Sequence, residues 1–229
     1  MTQSQIQESP IALIFDLDGL LLDTETVARR AFVEACHQVG WYRTDMAVYV
    51  QCIGLHGPEI GEILKNGYGS DFPWEDIGPI CQQIYHEFID HQAADIKPGA
   101  VELLTFAEAR RIPCGLATSS RMSSTESKLT LAELKRFFSV VVSGDGVERR
   151  KPSPEPYLTA AKRLDVDPDR CWALEDSENG VRSAVSAGCT VFQVPDIVEP
   201  TQQLRELGHN IVESLHDVLT ALTHATREG

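Results

Sequence analysis

The sequence predicts an α/β protein, a doubly wound parallel sheet carrying an all-helical insertion. Short apolar runs recur at residues 11–15, 113–117, 140–142, 172–174 and 190–194. Runs that are apolar throughout belong to strands buried on both faces. From residue 113 onward, amphipathic helical patterns separate them, which is the alternation of a parallel sheet covered by helices on both faces. Between about residues 23 and 95 that alternation stops and only helical patterns remain.

The elements follow in order. The first strand, 11–15, runs directly into Asp16 and Asp18 and then Gly19, which lets the chain turn sharply. Asp23 can cap a helix whose apolar face is Ala28, Ala31, Ala35 and Val39, ending at Gly40. Further helical patterns cover about 45–51, 58–65 and 75–90, with no convincing strand between them. After the second strand comes a helix over 122–131. Another covers 153–164, with Ser153 at the N-cap, Pro154 in the first turn, and Tyr157, Ala161 and Leu164 on one face. The last clear helix, 177–187, turns Val181, Ala184 and Val185 inward and stops at Gly188. The expected domains are therefore a core of residues 1–22 and 96–229 and a helical cap of 23–95. The two connections, near 20–24 and 93–98, should lie close together, as a hinge requires.

At 229 residues the chain can bury a sizeable core. No apolar run approaches the ~20 residues that cross a bilayer, and residues 1–10 lack the pattern of a secretory signal. The six cysteines are scattered without close pairs, as expected of reduced thiols in a cytoplasmic protein. The formal net charge of −14 disfavours nucleic acid and anionic membrane as partners. It would also repel a phosphorylated metabolite, so any anion site must be locally positive. A monomer is expected.

Residues just past strand C-termini converge on one crevice in such a sheet. Asp16, Thr118 and Asp176 hold such positions, and Lys151 follows a fourth strand after a short loop. Buried carboxylates repel one another unless a cation lies between them, and hard oxygen ligands suit Mg²⁺. The expected metal ligands are Asp16, Asp18 through its backbone carbonyl, and the Glu175/Asp176 pair. Asp16 can attack phosphorus, and Asp18 can protonate the leaving oxygen and then take a proton from water. The Thr118 hydroxyl and the Ser119 backbone N–H can hold phosphoryl oxygens. Lys151 can neutralise Asp16 and the charge on the transferring group.

With Asp16-x-Asp18-Gly19, Thr118, Lys151-Pro152 and Glu175-Asp176-Ser177 in this order, and Gly180 three residues further on, the chain resembles the haloacid dehalogenase-like superfamily. The likeness covers about residues 10–220 and points to the β-phosphoglucomutase and phosphoglycolate phosphatase-like branch. The resemblance implies a Rossmann-like core, a mobile helical cap after the first strand, and Mg²⁺-dependent transfer through an aspartyl-phosphate. The β-phosphoglucomutases commonly carry a histidine twelve positions after the nucleophile, where this chain has Ala28. The loop at 54–57 also lacks the arginine that mutases use for a second phosphate. Both departures favour a phosphomonoester hydrolase acting on a small phosphorylated metabolite, such as a sugar phosphate, with a phosphomutase as the alternative. A phospho-accepting receiver is a more distant one, since its acidic pair is usually adjacent and it has no helical insertion. His56, Arg43 and Lys65 are the candidates for reading substrate from the cap.

Overall fold

The computed structural model describes residues 9–53 and 59–227. In chain order the elements are β1 (Ala12–Phe15), α1 (Thr24–Gln38), α2 (Met46–Val50), α3 (Glu59–Tyr68), α4 (Trp74–His91), α5 (Ala100–Ala109), β2 (Cys114–Ala117) and α6 (Met122–Leu131). They continue with β3 (Phe138–Val142), α7 (Glu155–Leu164), β4 (Cys171–Glu175), α8 (Glu178–Ser186), β5 (Thr190–Gln193), α9 (Gln202–Arg205), β6 (Asn210–Ile211) and α10 (Leu215–Ala225).

The strands form one parallel sheet in the order β3-β2-β1-β4-β5-β6. This is a Rossmann-like order, and its reversal point lies between β1 and β4. Strand β1 shows how both faces are filled. Leu13 and Phe15 enter a core shared with Leu103 and Leu104 of α5 and Val218 and Leu222 of α10. Ala12 and Ile14 point the other way, towards Tyr157 and Ala161 of α7 and Val181 and Ala184 of α8.

The helices α1–α4 bury a third, separate cluster built on Phe32, Ala35, Cys36, Leu64, Phe72 and Ile77. The chain enters and leaves this helical insertion side by side. The Asp23 N–H donates to the Asp95 carbonyl at 2.8 Å, and the Lys97 N–H to the Leu21 carbonyl at 2.9 Å.

Several details differ from the sequence expectation. The buried stripe of α1 is Val27, Ala31, Phe32, Ala35 and Cys36, while Ala28 is only half-buried. The bulk of Phe32 sets the facing, which the alanine spacing alone did not show. Helix α7 starts one residue later than expected, with Pro154 at the N-cap; Ser153 still accepts from the Glu155 N–H at 3.3 Å. The two-residue strand β6 is too short to leave a periodic signal. All six cysteines are free, and no helix among the described residues is long and apolar enough to cross a membrane.

Candidate functional site

Parallel pairing brings the key strand ends to one edge. The Asp16 N–H donates to the Leu174 carbonyl at 3.0 Å, and the Thr118 N–H to the Val142 carbonyl at 2.9 Å. These bonds align the end of β1 with β4 and that of β2 with β3, the β1–β2 pairing joins the two, and the turns that leave these strands face the same crevice. Lys151 reaches in and donates to both Asp16 Oδ1 and Glu175 Oε1 at 2.5 Å. Its side chain is 4 % exposed, against 9 % for Asp16 and none for Glu175.

Glu175 is fully engaged. Its Oε1 also accepts from the Tyr157 hydroxyl at 2.6 Å. Its Oε2 accepts from the Ser177 hydroxyl at 3.1 Å and the Ser177 N–H at 3.4 Å. A Cβ on Gly180 would lie 1.9 Å from this carboxylate, so the first turn of α8 can approach it only with glycine there. Glu175 therefore orients Lys151.

Asp16, Glu175 and Asp176 each present an oxygen, all within 4.8 Å of one another. Burial, aided by the Glu175 and Asp18 charges, pushes the Asp16 carboxyl up to about 7 despite the opposing pull of Lys151. Burial beside Asp16 and Glu175 raises Asp176 well above the usual carboxylate range. Gly19, at φ +84°, faces Asp176 so closely that a Cβ would sit 2.3 Å from its Oδ2. The backbone at 176 is held from behind. Gln193 Nε2 donates to the Asp176 carbonyl at 3.0 Å, and Gln193 Oε1 contacts His209 Nε2 at 2.8 Å. An all-oxygen set of under-neutralised carboxylates fits a small hard dication.

The Asp18 side chain points elsewhere. Oδ1 accepts from Lys128 Nζ at 2.5 Å, and Oδ2 from the Ser120 hydroxyl at 2.7 Å. The Thr118 hydroxyl lies 3.5 Å from Oδ2 and accepts from the Ser120 N–H at 3.1 Å. Burial pushes the Asp18 carboxyl up, but Lys128 and the Ser120 hydroxyl outweigh it and hold it below its ordinary value. Ser119 is half-buried on the turn after β2.

The insertion candidates sit differently. Arg43 is exposed, with its guanidinium 5.5 Å from the Trp41 ring centre. Lys65 pairs with Glu75 at 2.5 Å. Both are thus partnered within the insertion, and His56 lies outside the described residues. The insertion instead turns Glu25 and Tyr85 towards the crevice. Burial, with the Asp18, Asp196 and Asp23 charges, pushes Glu25 up to about 7, and Tyr85 lies against Lys128. Sequence reasoning singled out neither of these, nor Ser120, Lys128 or Gln193. A repeated serine after Thr118 was a usable signal for Ser120; a lysine or tyrosine within an amphipathic helix carries none.

Strand-end carboxylates, a buried lysine between two of them and an adjacent hydroxyl-bearing turn form the frame of one family, and a family model described as "Haloacid dehalogenase-like hydrolase" matches residues 13–194. The chain belongs to the haloacid dehalogenase-like hydrolases. Among relatives, Hexitol phosphatase B of Escherichia coli K12 is 30% identical over 191 residues, covering 81% of this chain and 83% of that protein. A phosphorylated carbohydrates phosphatase of Thermotoga maritima is 29% identical over 216 residues, covering 92% and 97%. Among solved structures, a mutant of CbbY from Rhodobacter sphaeroides, in complex with xylulose-(1,5)bisphosphate, superposes with a TM-score of 0.71. It is 27% identical and covers 93% of this chain and 99% of that one. Within this hydrolase family, the chain keeps the Rossmann-like core and places a helical insertion directly after β1.

Proposed function

We propose that this hydrolase is a phosphomonoesterase for small phosphorylated metabolites, sugar phosphates among them, working through a phosphoryl group carried on Asp16. The observation that carries the reading is Lys151 held between Asp16 and Glu175. It is a buried cation placed where a nucleophilic carboxylate must meet an anionic phosphoryl group. The carbohydrate-phosphate relatives support the substrate class.

In the forward step an Asp16 oxygen attacks phosphorus. The bond to the ester oxygen breaks, and that oxygen takes a proton from Asp18, which must enter this step protonated against the pull of Lys128. In the second step water attacks the phosphoryl group, Asp18 takes the water's proton, and the Asp16 carboxylate is regenerated as inorganic phosphate leaves. Lys151 offsets charge on Asp16 in both steps, and the turn after β2, with Thr118 and Ser119, receives the phosphoryl oxygens. The helical insertion acts as a cap that excludes bulk water while the ester is bound.

Asp16 and Asp176, with the backbone carbonyl of Asp18, would hold a Mg²⁺ ion, and Glu175 would stand behind them through Lys151. When bound, that ion supplies charge neutralisation and Lewis acidity. Turnover should vanish on exhaustive chelation, return with Mg²⁺ and be suppressed by Ca²⁺, which prefers longer and looser coordination. Phosphate release that survives chelation would remove the ion from the mechanism.

The mutase reading shares the first step but must shield the phosphorylated aspartate from water. Ala28, half-buried on α1, has no side-chain hydrogen bond with which to delay Asp18. Incubation with β-glucose 1-phosphate, with and without a bisphosphate primer, should therefore give phosphate release that is independent of primer. Rapid primer-dependent formation of glucose 6-phosphate with little phosphate would establish the mutase instead.

A further inference from the structure

The motif cation, Lys151, serves Asp16 and Glu175. A second buried lysine, on α6, serves only Asp18. The Lys128 side chain is 2 % exposed, which is costly for an ammonium without partners. Its nitrogen donates to Asp18 Oδ1 at 2.5 Å and to the Ser120 hydroxyl at 3.1 Å, and that hydroxyl in turn donates to Asp18 Oδ2 at 2.7 Å. The three side chains close a ring that grips both oxygens of one carboxylate, so its rotation is restricted. The remaining side of the ammonium faces the insertion. Tyr85 of α4 sets its ring centre 5.9 Å from Lys128 Nζ, within the range of a cation–π contact. Helices α4 and α6 pack directly against each other.

We propose that Lys128 is a positioning residue that fixes the Asp18 carboxylate for proton transfer, and that Tyr85 makes this placement depend on the seating of the helical insertion. The inference rests on the phosphomonoesterase reading for the role of Asp18, but the contacts themselves do not. With the insertion seated, Tyr85 keeps water from Lys128, and the ion pair acts in a low dielectric where it is strong. With the insertion lifted, water reaches the ammonium, the pairing weakens, and Asp18 is free to turn. Acid–base catalysis is then confined to the covered crevice.

The test compares phenyl phosphate with p-nitrophenyl phosphate, two esters of nearly the same shape. The first needs a proton on its leaving oxygen and the second scarcely does. Lys128→Met removes a charge that disfavours a proton on Asp18 but also frees the carboxyl to turn, and misplacement should dominate: kcat/KM for phenyl phosphate should fall by ~10²-fold, the scale of general acid catalysis, and for p-nitrophenyl phosphate by less than about tenfold. Asp18→Asn should show the same split, and the double variant should add little to it. Lys128→Arg should restore part of the loss, and Tyr85→Ala, which leaves Lys128 in place, should show the split in weaker form. Equal losses on both esters, or none, would overturn the proposal. A crystal structure of Lys128→Met provides a second test independent of turnover: Asp18 should leave its present position, and an unmoved carboxylate would overturn the inference. Wild-type failure on both esters would count against the phosphatase reading instead.

Discussion

Asp16→Asn should abolish turnover, by ~10⁴-fold or more, as removal of a covalent nucleophile does in other enzymes. The replacement is nearly isosteric and keeps a hydrogen-bonding oxygen towards Lys151, so the fold should persist. Asp16 is buried among the carboxylates of Glu175, Asp176 and Asp18, and removing one anion relieves their repulsion. The variant should therefore melt at a higher temperature than the wild type when both are stripped of metal. The sign follows from the raised pKa. Between the ordinary value of 3.8 and about 7, the folded protein holds a proton at Asp16 that the unfolded chain has lost. Stability contributed by this site therefore falls as pH rises through that window. The gain from Asp16→Asn should be larger at pH 8 than at pH 4. Thermal melts at the two pH values check the stability claim, and phosphate release checks the catalytic one. Wild-type-like release by the variant would end the assignment of Asp16.

Lys151→Ala should be the second most damaging change. Its ammonium is the only cation bonded to Asp16 or to Glu175 among the described residues, and truncation leaves two buried carboxylates facing each other. Breaking a buried pair from one side typically costs ~3–5 kcal/mol, so a large fall in melting temperature is expected. Loss of a charge-stabilising donor typically costs ~10²–10³ in rate, and that loss should appear in kcat at a temperature where the variant is folded. Lys162→Ala is the control, since Lys162 is exposed on α7. Equal small effects at the two positions would reduce Lys151 to a loop residue.

Much of this arrangement was legible in the sequence, because the determining residues follow strand ends and topology places strand ends. Asp16, Asp18, Thr118, Lys151, Glu175 and Asp176 come together for that reason. The finer assignments were not legible, because they depend on partners distant in sequence. Glu175 reads as a metal ligand and does lie in the carboxylate cluster, but its bonds to Lys151, Tyr157 and Ser177 show only in the fold. Tyr157 reads as an apolar-face residue, and its ring does pack in the core; only the fold shows where its hydroxyl ends. Lys128 was not legible at all, since its burial is decided by Asp18, far away in the chain. Arg43 and Lys65 illustrate the converse. A cation in the insertion suggests a substrate contact, but Trp41 and Glu75 supply local partners that spacing does not reveal. The edge strand β6 escaped because two residues cannot display a period.

The proposed mechanism carries a phosphoryl group on Asp16 and hands it to water. The most direct measurement is a single turnover with ³²P-labelled acetyl phosphate, quenched in acid at times before product forms, with the labelled peptide mapped by mass spectrometry. The mechanism predicts a transient label on the peptide bearing Asp16, decaying as inorganic phosphate appears and absent from Asp16→Asn. Phosphate release without any labelled enzyme, or a label on a different side chain, would contradict it.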